Sequence, residues 1–265
     1  MATKKLSRYA RLLRDMTDAE LAAEVQRPRQ LLLESETSGG KRFDIAYWPH
    51  GPMNTGARIV IVGITAGRQQ MRNAWEEMRR GLRAGLSEED AATAADSFAS
   101  FSGPMRRNLV DMLDDVGVHR LLGLKTTMSL WHDEVDLVQF MSVIRWPVFI
   151  DGENYRGVPA MFSVPVLRKR LMEGFAADAS VLRDAIFVPL GGVVGEALDY
   201  VADEIGFDHD RVLSGLPHPS GANAERVAFF LGRKPQERLS TRVRPEPLIA
   251  ARKDLKAKVK RLRRK

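Results

Sequence analysis

Arg58-Ile59-Val60-Ile61-Val62-Gly63-Ile64-Thr65-Ala66-Gly67-Arg68-Gln69 sets an unbroken β-branched run against a turn of small residues. Such a run, bounded by Gly, predicts a strand buried on both faces, as in a parallel sheet. A helical pattern follows over residues 69–82, so the unit reads strand–loop–helix. Two glycines and an alanine let the backbone approach a ligand closely, and a helix start offers free N–H donors to an anion. By itself the loop is a weak signal. It lacks the lysine of a phosphate-cradling Walker loop and the full dinucleotide fingerprint. A tight helix–strand packing turn explains its glycines equally well.

Outward from this stretch the chain alternates. Residues 6–34 read as helical, with Thr17-x-x-Glu20 as a capping box and Pro28 as a divider, and Gly39-Gly40 breaks the chain. Further strands are expected over 43–47, 138–144, 185–190 and 212–214. Helices are expected over 87–98 (with Ser87-x-x-Asp90 as a cap), 104–116, 165–175, 193–205 and 224–231. This alternation predicts an α/β fold, a three-layer α/β/α sandwich with a mainly parallel central sheet. In such a sheet ligands bind where loops leave the carboxyl ends of the strands. Three segments are expected: an N-terminal helical extension (1–40), an α/β domain (41–235) and a basic C-terminal helix or tail (236–265).

The most informative loop lies near the end of that domain. Leu216-Pro217-His218-Pro219-Ser220-Gly221-Ala222-Asn223 follows a short apolar run and precedes a helical pattern. Proline fixes φ and restricts the residue before it, so two prolines hold His218 far more tightly than a surface His. The alternative is a Pro-rich turn with an incidental His.

Taken together, strand–Gly-Ile-Thr-Ala-Gly–helix, the aromatics Phe98 and Phe101, strand–Pro-Leu-Gly-Gly–helix at 188–192 and strand–Pro-His-Pro-Ser-Gly-Ala-Asn–helix resemble the uracil-DNA glycosylase superfamily. The resemblance covers roughly residues 43–232 and is nearest to a divergent bacterial branch. It implies a monofunctional DNA glycosylase, hydrolysing the N-glycosidic bond of an extruded nucleotide and leaving an abasic site, without metal or cofactor. His218 would hydrogen-bond the departing base, stabilising charge that exists only in the transition state. Gly63, Ile64, Thr65, Ala66 and Gly67 would floor the pocket, with Thr65 and Ala66 facing the base or the water. Arg68 and Gln69, at the helical end of that loop, join the substrate-contacting set. Ser220 and Gly221 would grip a phosphate, and Phe101, or Phe98 in its place, would stack on the flipped base. Asn223 and Arg226 are DNA contacts or else helix capping and a solvated charge. Core packing is the competing account of each Phe.

Two departures sharpen the reading. Thr65 stands where uracil enzymes often carry Asp or Asn, and threonine is no general base near neutral pH. Either leaving-group stabilisation suffices or a carboxylate elsewhere does that work, with Asp44, Asp151 and Glu153 the candidates near strand ends and surface ion pairing the alternative for each. Phe140-Met141-Ser142-Val143-Ile144-Arg145-Trp146-Pro147 resembles the segment that carries a uracil-reading Asn and a cluster Cys in iron–sulfur glycosylases. Here Met141 or Ser142 replaces the reader, and no iron–sulfur cluster is expected. Asn154, beside Tyr155 in a polar loop, is the substitute amide, or simply the residue that holds a turn. A lost reader and a small-residue loop point toward a modified pyrimidine larger than uracil, such as glucosylated hydroxymethylcytosine of phage DNA in antiphage defence. Uracil excision in repair and a catalytically silent DNA-binding module are the alternatives; a small-nucleotide hydrolase is disfavoured by the basic tail.

Composition bounds these readings. The 265-residue chain has no cysteine, which excludes disulfides, thiol nucleophiles and thiolate metal sites. His132-Asp133-Glu134 and Asp208-His209-Asp210 look metal-like but lack further ligands at motif spacing. No run approaches the ~20 apolar residues of a membrane span, and Met1-Ala2-Thr3-Lys4-Lys5 lacks a secretory apolar segment. A cytoplasmic monomer is expected. The net charge of +7 points to a polyanion, here DNA. Residues 252–265 carry nine cations against one anion, which predicts a phosphate-contacting arm. A solubilising frayed helix is the alternative.

Overall fold

The structure, a computed structural model, describes residues 6–99 and 104–264. Among them the strands in chain order are β1 (Leu32–Ser38), β2 (Lys41–Ala46), β3 (Ile59–Gly63), β4 (Val138–Ser142), β5 (Val148–Ile150), β6 (Glu153–Asn154) and β7 (Ile186–Pro189). The α-helices are α1 (Arg8–Asp15), α2 (Asp18–Gln26), α3 (Arg68–Arg83), α4 (Glu88–Ala99), α5 (Pro104–Val116), α6 (Val118–Leu122), α7 (Pro165–Arg170), α8 (Ala177–Val181), α9 (Gly192–Ile205), α10 (Ala224–Phe230) and α11 (Pro245–Leu262). The protein is mixed α/β and about 54% helical. Its described residues form two compact units: 6–53, 64–99 and 144–175 make unit 1, and 54–63, 104–143 and 176–264 make unit 2.

Unit 2 holds the expected parallel sheet, in the order β4-β3-β7. Ile59 pairs in parallel register with Val138 on one side and Ile186 on the other, and every residue of β3 is buried. A strand paired on both edges and covered on both faces needs side chains that fill space without polar atoms, which is why it reads as an unbroken Ile/Val run. The expected strand at 212–214 is reduced to a single parallel bridge, Phe187 to Val212. Gly215, at φ 117°, turns the chain immediately afterwards, leaving no length for a ladder.

The core of unit 2 joins Ile59, Ile61 and Val188 to Leu109, Leu113, Leu213, Leu216, Phe230, Leu255 and Val259. Leu255 and Val259 belong to α11, so the C-terminal segment is no free arm. Residues 236–264 are part of unit 2 rather than a separate tail.

Unit 1 carries a second sheet, β1-β2-β5-β6, whose pairs are all antiparallel. The capping box forms as expected, with Thr17 N donating to Glu20 Oε2 (2.7 Å) and Glu20 N to Thr17 Oγ1 (3.2 Å). The expectation of helix to residue 34 is wrong. Arg27, ahead of Pro28, is extended (φ −147°, ψ 94°), and the buried Glu24 carboxylate collects the amides of Arg29, Gln30 and Leu31 as the chain reverses. From Leu32 the chain is strand. Gly39 and Gly40 both take positive φ (58° and 74°), the backbone of a two-residue hairpin turn matched to strand twist. The expected boundary at residue 40 therefore cuts a hairpin, and residues 6–40 belong to unit 1.

Trp75 and Trp48 fill the unit 1 core with Phe149 and Leu31. The expected helix over 165–175 ends as α7 and continues as a π-turn, Leu171–Ala176. There Gly174 lets Arg145 and Trp146 approach: a Cβ would stand 3.1 Å from Arg145 Cδ and 3.4 Å from the Trp146 ring.

Candidate functional site

In unit 2 the carboxyl ends of β3, β4 and β7 lie side by side. Gly63 registers with Ser142, Val143 N donates to Gly63 O, and Leu190 N donates to Val62 O. The bridge at Val212 adds the chain that leads into the His218 loop, with Leu213 N donating to Phe187 O (2.7 Å). The three predicted positions Gly63, Ser142 and His218 are thus served by parallel segments of one sheet.

The His218 loop is held from three directions. Leu216, Pro217 and Pro219 are buried, and Asn108 of α5 donates from Nδ2 to Pro219 O (2.9 Å). Gly191, in the Pro-Leu-Gly-Gly turn after β7, takes φ 91° and lies against the imidazole; a Cβ there would be 3.5 Å from His218 Cβ. Only glycine combines that φ with that approach at no cost. Two of the four motifs read from the sequence therefore meet at His218. Asn108 was missed because it sits in an ordinary helical pattern with no motif around it.

His218 is half-buried, and Ser220 N donates to its Nδ1 (3.2 Å). A ring nitrogen that accepts an amide proton carries none itself, so the proton of the neutral imidazole resides on Nε2. Burial pushes the His218 pKa below the usual histidine value, which favours that neutral form. The ring is thus an oriented neutral donor at the carboxyl end of a parallel sheet.

Around it, two expected DNA contacts are spent inside the loop. Asn223 donates from Nδ2 to Ser220 Oγ (3.1 Å) and accepts from Arg226 Nη1 (2.9 Å), and Arg226 Nη2 donates to Arg242 O (2.9 Å). Arg226 is neither a free phosphate contact nor a solvated charge; it ties the loop to the segment before α11. Gly221 is exposed and opens the turn Gly221–Asn223.

The first loop, from Ile64 onward, belongs to unit 1. Ile64 O accepts from Ile144 N (3.0 Å), and Ala66 packs against the unit 1 core. Thr65 Oγ1 donates to Trp146 O (2.6 Å), so its proton fixes the loop. Two of the amides expected to be free for an anion at the start of α3 are taken. Gly67 N donates to Gln70 Oε1 (2.8 Å) and Arg68 N to Asn154 Oδ1 (3.0 Å).

Asn154 thus sits at the first loop and holds a turn, the second of the two roles read for it. Arg68 is a correction. Its guanidinium donates to Val25 O, Gln26 O and Gly152 O and lies 4.5 Å over the Phe149 ring, stitching α2 and the β5–β6 hairpin to the loop. Tyr155 is a second correction: it is buried, and its hydroxyl donates to Pro159 O (2.6 Å), so it faces the core rather than a ligand. Gln69 is exposed and donates to Asn73. Phe101 lies outside the described residues, and Phe98 is exposed at the end of α4.

The three carboxylates read as water activators have structural partners or none. Asp44 accepts from Ser35 Oγ (2.6 Å) and Arg42 Nε (2.8 Å). Asp151 turns the β5–β6 hairpin at φ 52° and accepts from Arg42 N (2.9 Å), while Glu153 is exposed on β6. A carboxylate whose pKa is raised is one the sequence did not flag, Asp96 of α4. Burial raises its pKa to about 6 although Trp48 Nε1 donates to it (3.0 Å) and Arg145 lies near. An isolated Asp among alanines carries no motif that would mark it.

Comparison with known proteins gives a single kind of answer. No protein-family model matches the chain, and no solved structure matches it significantly. The uncharacterized protein YoxB of Bacillus subtilis (strain 168) is 35% identical over 195 residues, spanning 72% of this chain and 76% of YoxB. At that identity and coverage the chain belongs to the family of YoxB.

Proposed function

We propose that the protein is a monofunctional DNA glycosylase that hydrolyses the N-glycosidic bond of an extruded, modified pyrimidine and leaves an abasic site. The observation that carries this reading is His218: clamped between two prolines, neutral, with Nδ1 occupied by the Ser220 amide and its proton on Nε2. Breaking the bond leaves negative charge on the departing base. A preorganised neutral donor meets that charge as it develops, without the cost of reorganising water. Neither metal nor cofactor is needed for a water nucleophile assisted in this way. The reading includes membership of the uracil-DNA glycosylase superfamily, its three-layer α/β/α sandwich, and a cytoplasmic monomer acting on DNA, bases being reached by flipping. Among substrates it favours a glucosylated hydroxymethylcytosine of phage DNA, with uracil excision in repair as the competitor.

A second reading has one observation of its own. Thr65 spends its hydroxyl proton on Trp146 O, and two of the carboxylates read from the sequence, Asp44 and Asp151, are engaged by Ser35, Arg42 Nε and Arg42 N rather than turned toward a water. That supports a DNA-binding module that has lost turnover. Incubation with uracil-containing, deaminated and glucosylated-hydroxymethylcytosine DNA, scored for abasic sites, separates the two. Base release that disappears in His218→Ala while DNA affinity persists establishes the enzyme. DNA binding without release from any substrate establishes the module.

A further inference from the structure

The basic helix α11 has two faces with different tasks. Its inner face carries Ala251, Leu255, Lys258 and Val259; Leu255 and Val259 are buried in the unit 2 core beside Leu213 and Leu216. At 3.6 residues per turn the opposite face carries Lys253 and Lys260, both exposed, and exposed Arg264 follows in the turn beyond the helix. The inner face grips the chain just ahead of His218. Lys258 Nζ donates to His209 O (2.7 Å) and Val212 O (2.8 Å), two carbonyls at the end of the bridge to β7. A Cβ on Gly215 would stand 2.9 Å from Ala251 Cβ, so helix and loop backbones are already in contact there. Arg252 and Lys256 both bind Asp115 of α5, the helix whose Asn108 holds Pro219 O.

We propose that Lys258 is a positioning residue for His218, so that the helix presenting cations to phosphate also sets the imidazole that meets the base. Lys258 fixes residues 209–212, Ala251 fixes 215, and from there Pro217 and Pro219 leave the backbone little freedom before and after His218. A displacement at Val212 is therefore delivered to the ring instead of being absorbed by a flexible loop. Phosphate docking on the outer stripe and orientation of the donor are mechanically one element. The catalytic part of this inference rests on the glycosylase reading; the brace itself does not.

The test uses full-length protein labelled with 15N-histidine. In the wild type the His218 nitrogens should report a single neutral tautomer with the proton on Nε2. Lys258→Met should shift the His218 signals toward tautomer averaging, and Lys258→Arg, which keeps the donors, should restore them. On whichever of the uracil-containing or glucosylated-hydroxymethylcytosine duplexes is cleaved, Lys258→Met should slow base release at saturating DNA by about ten-fold or more, as misplacement of a reacting group does. Kd for that duplex and its salt slope should stay at the wild-type value. Lys253→Gln with Lys260→Gln should do the reverse, weakening Kd with unchanged His218 signals. Should Lys258→Met not fold, Ala251→Val carries the test, since it presses on Gly215 without removing a charge and should still shift the signals. Unchanged His218 signals in the folded variant overturn the brace whatever the activity. A wild type that releases no base refutes the glycosylase reading instead, and the spectra still decide the brace.

Discussion

His50 and Asp96, both half-buried in unit 1, should give this protein opposed acid responses that a single substitution uncouples. Burial, with Arg145 nearby, depresses the His50 pKa from 6.5 to about 3, and its Nε2 is buried with no hydrogen-bond partner among the described residues. The ring stands edge-on to Trp146 at 5.8 Å. Below pH 6.5 the unfolded chain takes up a proton that the folded chain refuses, so stability is lost as pH falls from 6.5 toward 3. At 1.36 kcal/mol per pH unit the full loss is on the order of 5 kcal/mol. Asp96 acts in the other direction. Burial raises its pKa from 3.8 to about 6, so its contribution is complete below 3.8 and is lost as pH rises through 6, on the order of 3 kcal/mol in all.

Between pH 6 and 4 the two slopes nearly cancel. His50→Phe removes the first and leaves the second. Urea unfolding followed by tryptophan fluorescence at stepped pH should show the variant gaining on wild type by about 3 kcal/mol between pH 6.5 and 4. Asp96→Asn keeps an acceptor for Trp48 and should show the opposite slope against wild type. A His50→Phe difference that stays flat across that range would refute the burial argument.

The C-terminal helix supplies two further predictions. Leu255→Ala should cost about 2–5 kcal/mol by urea unfolding, because its side chain is buried among Leu213, Leu216 and Phe230. Removal of residues 252–265 should then unfold unit 2 rather than merely flatten its salt dependence. Lys253→Gln, Lys260→Gln and Arg264→Gln combined should leave the melting temperature unchanged and reduce the salt slope of DNA binding by about 0.9 for each phosphate no longer neutralised. In unit 1, Arg68→Met should cost about 2–4 kcal/mol, since three backbone carbonyls lose a charged donor and Phe149 loses its stacked guanidinium. Thermal melting and urea titration check it.

What the sequence made legible were features with a local cause. The Ile/Val run at 59–62 needs no context to be a doubly covered strand, and Thr17 with Glu20 forms its cap within four residues. The clamped His218 was legible for the same reason, because two prolines act on their immediate neighbours. Features decided by partners far along the chain were not. Leu32-Leu33-Glu34 carries no alternation that separates strand from helix, and only its ladder with β2 and the Glu24 carboxylate behind Pro28 settle the matter. Residues 252–265 read as a phosphate-contacting arm because the two buried residues that anchor the segment, Leu255 and Val259, are scattered among nine cations. Arg68 and Arg226 read as substrate or DNA contacts for the same reason: a sequence shows a guanidinium, not the carbonyls that occupy it.

The most direct test of the central claim is abasic-site formation by wild type and His218→Ala on the panel of uracil-containing, deaminated and glucosylated-hydroxymethylcytosine DNAs. The oriented neutral donor predicts release of one modified base by wild type and a loss of about 10²–10³-fold in rate for His218→Ala, with DNA affinity retained. Equal rates in the two proteins, or no release from any member of the panel, would contradict it.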